Sequence, residues 1–70
     1  MNHGTATLKM DLVDESGNIL RHIGEVGVIT AFLPDDAKYA VMFDGKMGFG
    51  NWFTMDKVSF EMFFDYQLIT

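Results

Sequence analysis

Tyr39-Ala40-Val41-Met42-Phe43-Asp44-Gly45-Lys46-Met47-Gly48-Phe49-Gly50-Asn51-Trp52-Phe53 is the stretch on which the fold turns. Asp-Gly between two alternating apolar runs predicts a β-hairpin, because a type I′ turn needs positive φ at both loop positions. With Asp44-Gly45 as a two-residue loop, Phe43 faces Lys46, Val41 faces Gly48 and Tyr39 covers Gly50. On the opposite face Met42 meets Met47 and Ala40 meets Phe49. A three-residue loop, Asp44-Gly45-Lys46, pairs Phe43 with Met47 and Val41 with Phe49 instead. In the first register Tyr39, Val41, Phe43 and Trp52 share one face, and Met42, Met47, Phe49 and Phe53 share the other. Both faces are then apolar, and only one can point inward.

Outside the hairpin the pattern is also that of strands. Thr5 to Leu12 alternates, with Ala6, Leu8, Met10 and Leu12 on one side, as in a half-buried strand. Asp14-Glu15-Ser16-Gly17-Asn18 is a cluster of turn formers, and Ile19 to Ile23 reads as a short return strand or an extended loop. Gly24 to Phe32 is β-branched and nearly uncharged, as in a central strand, with Gly27 marking a bulge or a close backbone approach. Leu33-Pro34-Asp35-Asp36-Ala37 reads as a loop, and Thr54-Met55-Asp56-Lys57 as an interruption, at most one 3₁₀ turn. Val58 to Leu68 alternates again, but Phe63 breaks its polar face, so this strand either bends or is covered by another chain. No helical i, i+3, i+4 pattern persists over ten residues.

Seventy residues make a single domain over 1–70, with residues 1–4 expected to fray. A domain of this size buries only about 60% of its unfolded surface. All ten aromatics lie between Phe32 and Tyr66, and 49% of the chain is hydrophobic. That is more large apolar surface than so small an interior readily hides, and it points to closure by a second copy or a partner.

The net charge is −5, with Lys9, Arg21, Lys38, Lys46 and Lys57 scattered among ten acids. Nucleic-acid binding draws on clustered Lys and Arg, so the charge argues against it. The absence of cysteine excludes disulfides, thiolate metal sites and a cysteine nucleophile. Residues 1–7 lack a basic segment followed by an apolar one, and no apolar run approaches a membrane span, so the expected location is cytoplasmic, away from any membrane.

Five or so short strands joined by tight turns predict a small, strongly bent barrel. Gly24-Glu25-Val26-Gly27-Val28-Ile29, then Tyr39 to Phe43, then a hairpin, then Trp52 to Val58, resembles an SH3-like small barrel. Such barrels carry a G-x-x-G-x-V opening strand, a V-x-F strand and a short 3₁₀ turn before the last strand. The resemblance covers residues 24–60 and implies a fold: all-β, five- to six-stranded, with a central Asp-Gly hairpin. It implies no particular activity. The sequence departs from the pattern where the last strand runs on to Leu68.

Catalytic chemistry has little to stand on. His3 and His22 are the only histidines, Ser16 and Ser59 sit in no motif, and Asp35-Asp36 lacks the further oxygens of a calcium loop. Gly45, Gly48 and Gly50 are not a phosphate loop. The expectation is therefore a non-enzyme with no catalytic residue, metal or cofactor. The candidate binding surface is Tyr39, Phe49, Trp52, Phe53 and Phe63, flanked by Asp35 and Asp36. Tyr, Trp, Phe and Met are enriched in interface cores. The expected function is a small acidic protein-interaction module or accessory subunit that binds itself or a larger protein, as a homo-oligomer in the first case. A groove for Pro-rich peptides built on Tyr39, Trp52, Asp35 and Asp36 is a narrower form. The alternatives are a nucleic-acid-binding barrel of the KOW or Tudor type, an acidic mimic of DNA, and an oligomeric barrel with a shared small-ligand site.

Overall fold

A computed structural model describes residues 2–33, 35 and 38–69. Among these residues, seven strands and one α-helix follow in the order β1 (Gly4–Leu8), β2 (Leu12–Val13), β3 (Ile19–Arg21), β4 (Val26–Leu33), β5 (Lys38–Met42), β6 (Trp52–Met55), α1 (Lys57–Phe63) and β7 (Phe64–Leu68). Five strands form one antiparallel sheet in the order β6-β5-β4-β1-β7, and β2 and β3 form a separate two-stranded ribbon. The protein is mostly β, as the alternation predicts. The sheet does not close into a barrel: β6 and β7 remain at its two ends.

The core sits between the inner face of the sheet and α1. Ala6, Leu8, Ile29, Tyr39, Val41, Phe43, Phe60 and Phe64 are buried together, with Leu12 of the ribbon. The ring of Phe60 is its centre, stacked on Tyr39 at 4.9 Å and tilted against Phe64 at 5.5 Å and Tyr66 at 4.8 Å. Thr30 is the extra residue of a bulge in β4: Ile29 pairs with Val41, but Ala31 already pairs with Ala40. This returns Phe32 to the inner face, edge-on to Tyr39 at 5.0 Å. Among the residues expected to fray, His3 donates its N–H to the Ile29 carbonyl at 2.8 Å, and Gly4 opens β1.

Two local expectations are corrected. The Asp-Gly turn itself forms: Asp44 and Gly45 have φ of 59° and 66°, and the Lys46 N–H donates to the Phe43 carbonyl at 3.2 Å. It does not close a two-residue hairpin. Gly48 and Gly50, at φ of 120° and 83°, turn the chain again, and the Asn51 and Trp52 N–H groups both donate to the Gly48 carbonyl. The strand returns only at Asn51, whose carbonyl accepts from Phe43 at 2.6 Å. Tyr39 therefore pairs with Met55 in place of Gly50, and Val41 with Phe53 in place of Gly48. A shift of five positions is odd, so the whole second arm exchanges faces. Phe53 turns inward beside Phe43, while Trp52 joins Met42 on the outer face.

The second correction is at the C-terminus, where the eleven-residue strand is half helix. Asp56 caps α1 by accepting the Ser59 N–H at 2.8 Å, and Phe60, Phe63 and Phe64 fall at i, i+3 and i+4. The alternation of Val58, Phe60 and Met62 concealed that spacing. A seven-residue α-helix thus replaces the single 3₁₀ turn expected before the last strand.

Gly27 lies where the sequence placed a close approach. A Cβ there would meet Val41 Cγ1 at 2.5 Å and the Met42 carbonyl oxygen at 3.1 Å. Gly27→Ala is expected to destabilise the fold by about 1–3 kcal/mol through overpacking, read as a lowered urea midpoint at unchanged slope.

Candidate functional site

The aromatic residues divide into two groups. Phe32, Tyr39, Phe43, Phe53, Phe60, Phe64 and Tyr66 pack ring against ring in or beside the core. Phe49, Trp52 and Phe63 make no such pair among the described residues. All three line one cleft of about 650 Å³, and Phe53 joins them from the core side.

Its walls follow from the topology. One wall is Trp52, Phe53, Thr54 and Met55, the whole of β6. Successive strand side chains point to opposite faces, so four consecutive residues share a cleft only when it runs along the strand edge. The facing wall is the ribbon, with Leu12, Val13 and Leu20, and its turn residues Asp14 and Glu15. Ser59 and Phe63 of α1, with Phe49 and Gly50 of the loop, complete the lining. The cleft is therefore the seam between β6 and the ribbon.

Two polar arrangements fix the ribbon turn and the loop beside it. The ribbon turn is fixed by Asp14, whose Oδ1 accepts from the Ser16 and Asn18 N–H groups at 2.9 Å each. These bonds, led by that from Asn18, hold its carboxyl below the ordinary aspartate value. The loop of residues 44–50 is fixed by Arg21. Its Nε donates to the Gly50 carbonyl at 2.8 Å, its Nη2 to Asn51 Oδ1 at 2.6 Å, and its Nη1 to Asp44 Oδ2 at 2.9 Å and Glu25 Oε1 at 3.0 Å. The guanidinium also lies over the Phe43 ring, 4.8 Å from its centre. Trp52 is oriented by its Nε1–H, which donates to Thr30 Oγ1 at 3.1 Å.

The predicted site residues are partly brought together. Phe49, Trp52, Phe53 and Phe63 meet at the cleft, and Phe49, 84% exposed, is the most open of them. Tyr39 lies in the core at 2% exposure. Asp35 is exposed and not part of the cleft lining, and Asp36 is outside the described residues. The acids that do line it, Asp14 and Glu15, read in the sequence only as turn formers; no local signal places a turn against a strand forty residues away. His22 stands beside Glu25, with Nδ1 at 3.6 Å from Oε2. Among the described residues no three His, Cys, Asp or Glu converge, and no helix is long and apolar enough to cross a membrane.

Compared with protein-family models, curated proteins and solved structures, the chain matches none of them.

Arg21→Met should remove the loop anchor and cost about 2 kcal/mol, the scale of hydrogen bonds to charged groups, with disorder at residues 44–51 seen as lost amide protection. Glu25 supplies a pH dependence. The His22 N–H at 2.7 Å and then Arg21 hold its carboxyl below its ordinary 4.5. Its contribution is thus complete above that value and lost as pH falls through the depressed folded one. Stability should decline below about pH 4.5, and Glu25→Gln should flatten, without abolishing, that acid limb in a pH series of thermal melts. Asp14 and Asp56 are shifted in the same direction and keep part of it.

Proposed function

We propose that this chain is a small acidic protein-interaction module or accessory subunit, and that the cleft beside β6 is its binding surface. One observation carries the reading: Phe49 and Trp52, both exposed, and Phe63, half-buried against the core, converge on one open cleft. Apolar side chains gathered at one site, with acids at its wall, have the composition of an interface core with a polar rim. Self-association belongs to the same reading. Met47, 68% exposed, and Phe49 project from one loop, and a second copy could cover both. At the level of fold, the arrangement is read as an SH3-like barrel left open at the seam. In its support, β4, β5 and β6 follow one another as the resembling strands do, and a short helical segment precedes the last strand.

The other readings have less behind them. The charged residues of the cleft are Asp14 and Glu15, with no Lys or Arg in its lining, which disfavours a nucleic-acid backbone. A volume near 650 Å³ is within the range of small-ligand sites. Such sites place a few fixed polar groups at their ligand, and no polar or charged residue is buried among those described.

Size-exclusion chromatography with light scattering should give a mass above 7.9 kDa that rises with concentration, and Phe49→Ser should lower it. A monomer at every concentration ends the self-pairing form and leaves a different protein as the occupant. A monomer whose Trp52 emission also resists acrylamide quenching would defeat the reading itself, because the aromatic surface would then be closed within one chain.

A further inference from the structure

We infer that the cleft binds an extended, basic segment of a partner protein, which adds to the free edge of β6 as a sixth strand. The inference rests on the interaction reading above and names the partner's chemistry.

The backbone provides the first argument. Phe43 bonds to Asn51 across the start of the hairpin, so the hydrogen-bonded positions of this antiparallel pair are Asn51, Phe53 and Met55. Alternation then turns the backbone groups of Trp52 and Thr54 away from β5, into the cleft. The Trp52 N–H is taken by the Gly48 carbonyl at 3.0 Å. The Trp52 carbonyl and both backbone groups of Thr54 remain, and among the described residues none of them bonds outside the sheet. Exposed edge groups of this kind are a template for another strand. Four residues of extended chain span about 13 Å, the length of β6.

Side chains and charge narrow the occupant. An added strand in this seam presents alternate residues toward Phe53, Met55 and Phe63 on one face, and toward Trp52 and Thr54 on the other. Apolar residues in alternation suit it. The ribbon wall carries Asp14, ionised and fixed by its own turn, and Glu15, and no base offsets them in the lining. Lys or Arg in the entering segment complements that wall, whereas a second copy of this chain brings the same two acids and a net charge of −5. A different protein's segment, and not a second copy, is therefore the occupant of the cleft. The loop face with Met47 stays available for self-pairing.

The test is an NMR titration of the uniformly ¹⁵N-labelled protein with end-blocked peptides. The probes are Val-Lys-Val-Lys-Val-Lys, two forms of it N-methylated on alternate amides in opposite phase, Val-Glu-Val-Glu-Val-Glu, and oligothymidylate. The lysine peptide should shift the amides of Trp52 to Met55 and slow exchange of the Thr54 amide by about tenfold or more at saturation. One methylated phase should abolish this and the other spare it, because only one set of peptide amides faces β6. The glutamate peptide should bind roughly tenfold more weakly, and added salt should narrow that gap. Absence of shifts at the cleft, equal binding by both methylated peptides, or equal binding by the glutamate peptide would each overturn the inference. A stronger response of these amides to oligothymidylate would overturn it in favour of nucleic acid. Any of these failures leaves the interaction module standing if Phe49→Ser still alters self-association or acrylamide still reaches Trp52. Failure together with a closed, unquenchable Trp52 removes both.

Discussion

The Arg21 side chain leaves the ribbon and bonds to Gly50, Asn51, Asp44 and Glu25 while covering the Phe43 ring. Among the described residues no ladder joins this ribbon to the five-stranded sheet, and none runs through the loop of residues 44–50. The ribbon and that loop are thus tied to one another by a guanidinium, while Leu12 seats the ribbon on the core. Burial opposes its charge, but the hydrogen bonds it donates to Glu25 and Asp44 more than offset this and hold its pKa above the ordinary value. A lysine could not substitute: one ammonium on a flexible stem cannot reach four separated acceptors and also lie flat on a ring.

With that tie in place, the packing explains why an opening remains. A sheet of five strands faced by a helix of seven residues encloses a small volume, and a chain of this size has few side chains with which to fill it. Rings solve the problem by area per residue, and seven aromatics in mutual contact supply the centre. Phe49 is carried away from that centre by the two turns of its loop, Trp52 by its outward position on β6, and Phe63 by its place on the cleft side of α1. The exposure of Phe49 and Trp52 follows from turn geometry and register, while Phe63 is half-buried against the core.

The sequence disclosed the turn chemistry and concealed the register. Asp44-Gly45 adopts the positive φ values that its residue types favour. Gly48 and Gly50 read as strand glycines opposite large side chains, yet they serve further turns, stabilised by a contact to Arg21 twenty-nine positions from Gly50. A long-range anchor of this kind leaves no local pattern, so the alternation was continued through a segment that is not strand. The helix was hidden differently: Val58 to Phe64 fits period two as well as it fits Phe60, Phe63 and Phe64 on one helical face. Only Asp56 as a cap distinguishes them. At the site, the aromatics were legible because their types are unusual in number. The acids facing them were not, since the distance from Asp14 to β6 in sequence says nothing about the ribbon folding across.

An open apolar edge is ordinarily a liability, because any other edge can pair with it. Here β6 is short, four residues, and the ribbon stands over its free side, so another full sheet cannot approach broadside. The acids on that ribbon repel a further copy of an already acidic chain. Under the proposal made above, these constraints suit a single extended segment of opposite charge. On that proposal, the features that guard the edge against aggregation also select its occupant, and Arg21, by tying the ribbon to the loop, fixes two parts of the cleft lining to one another.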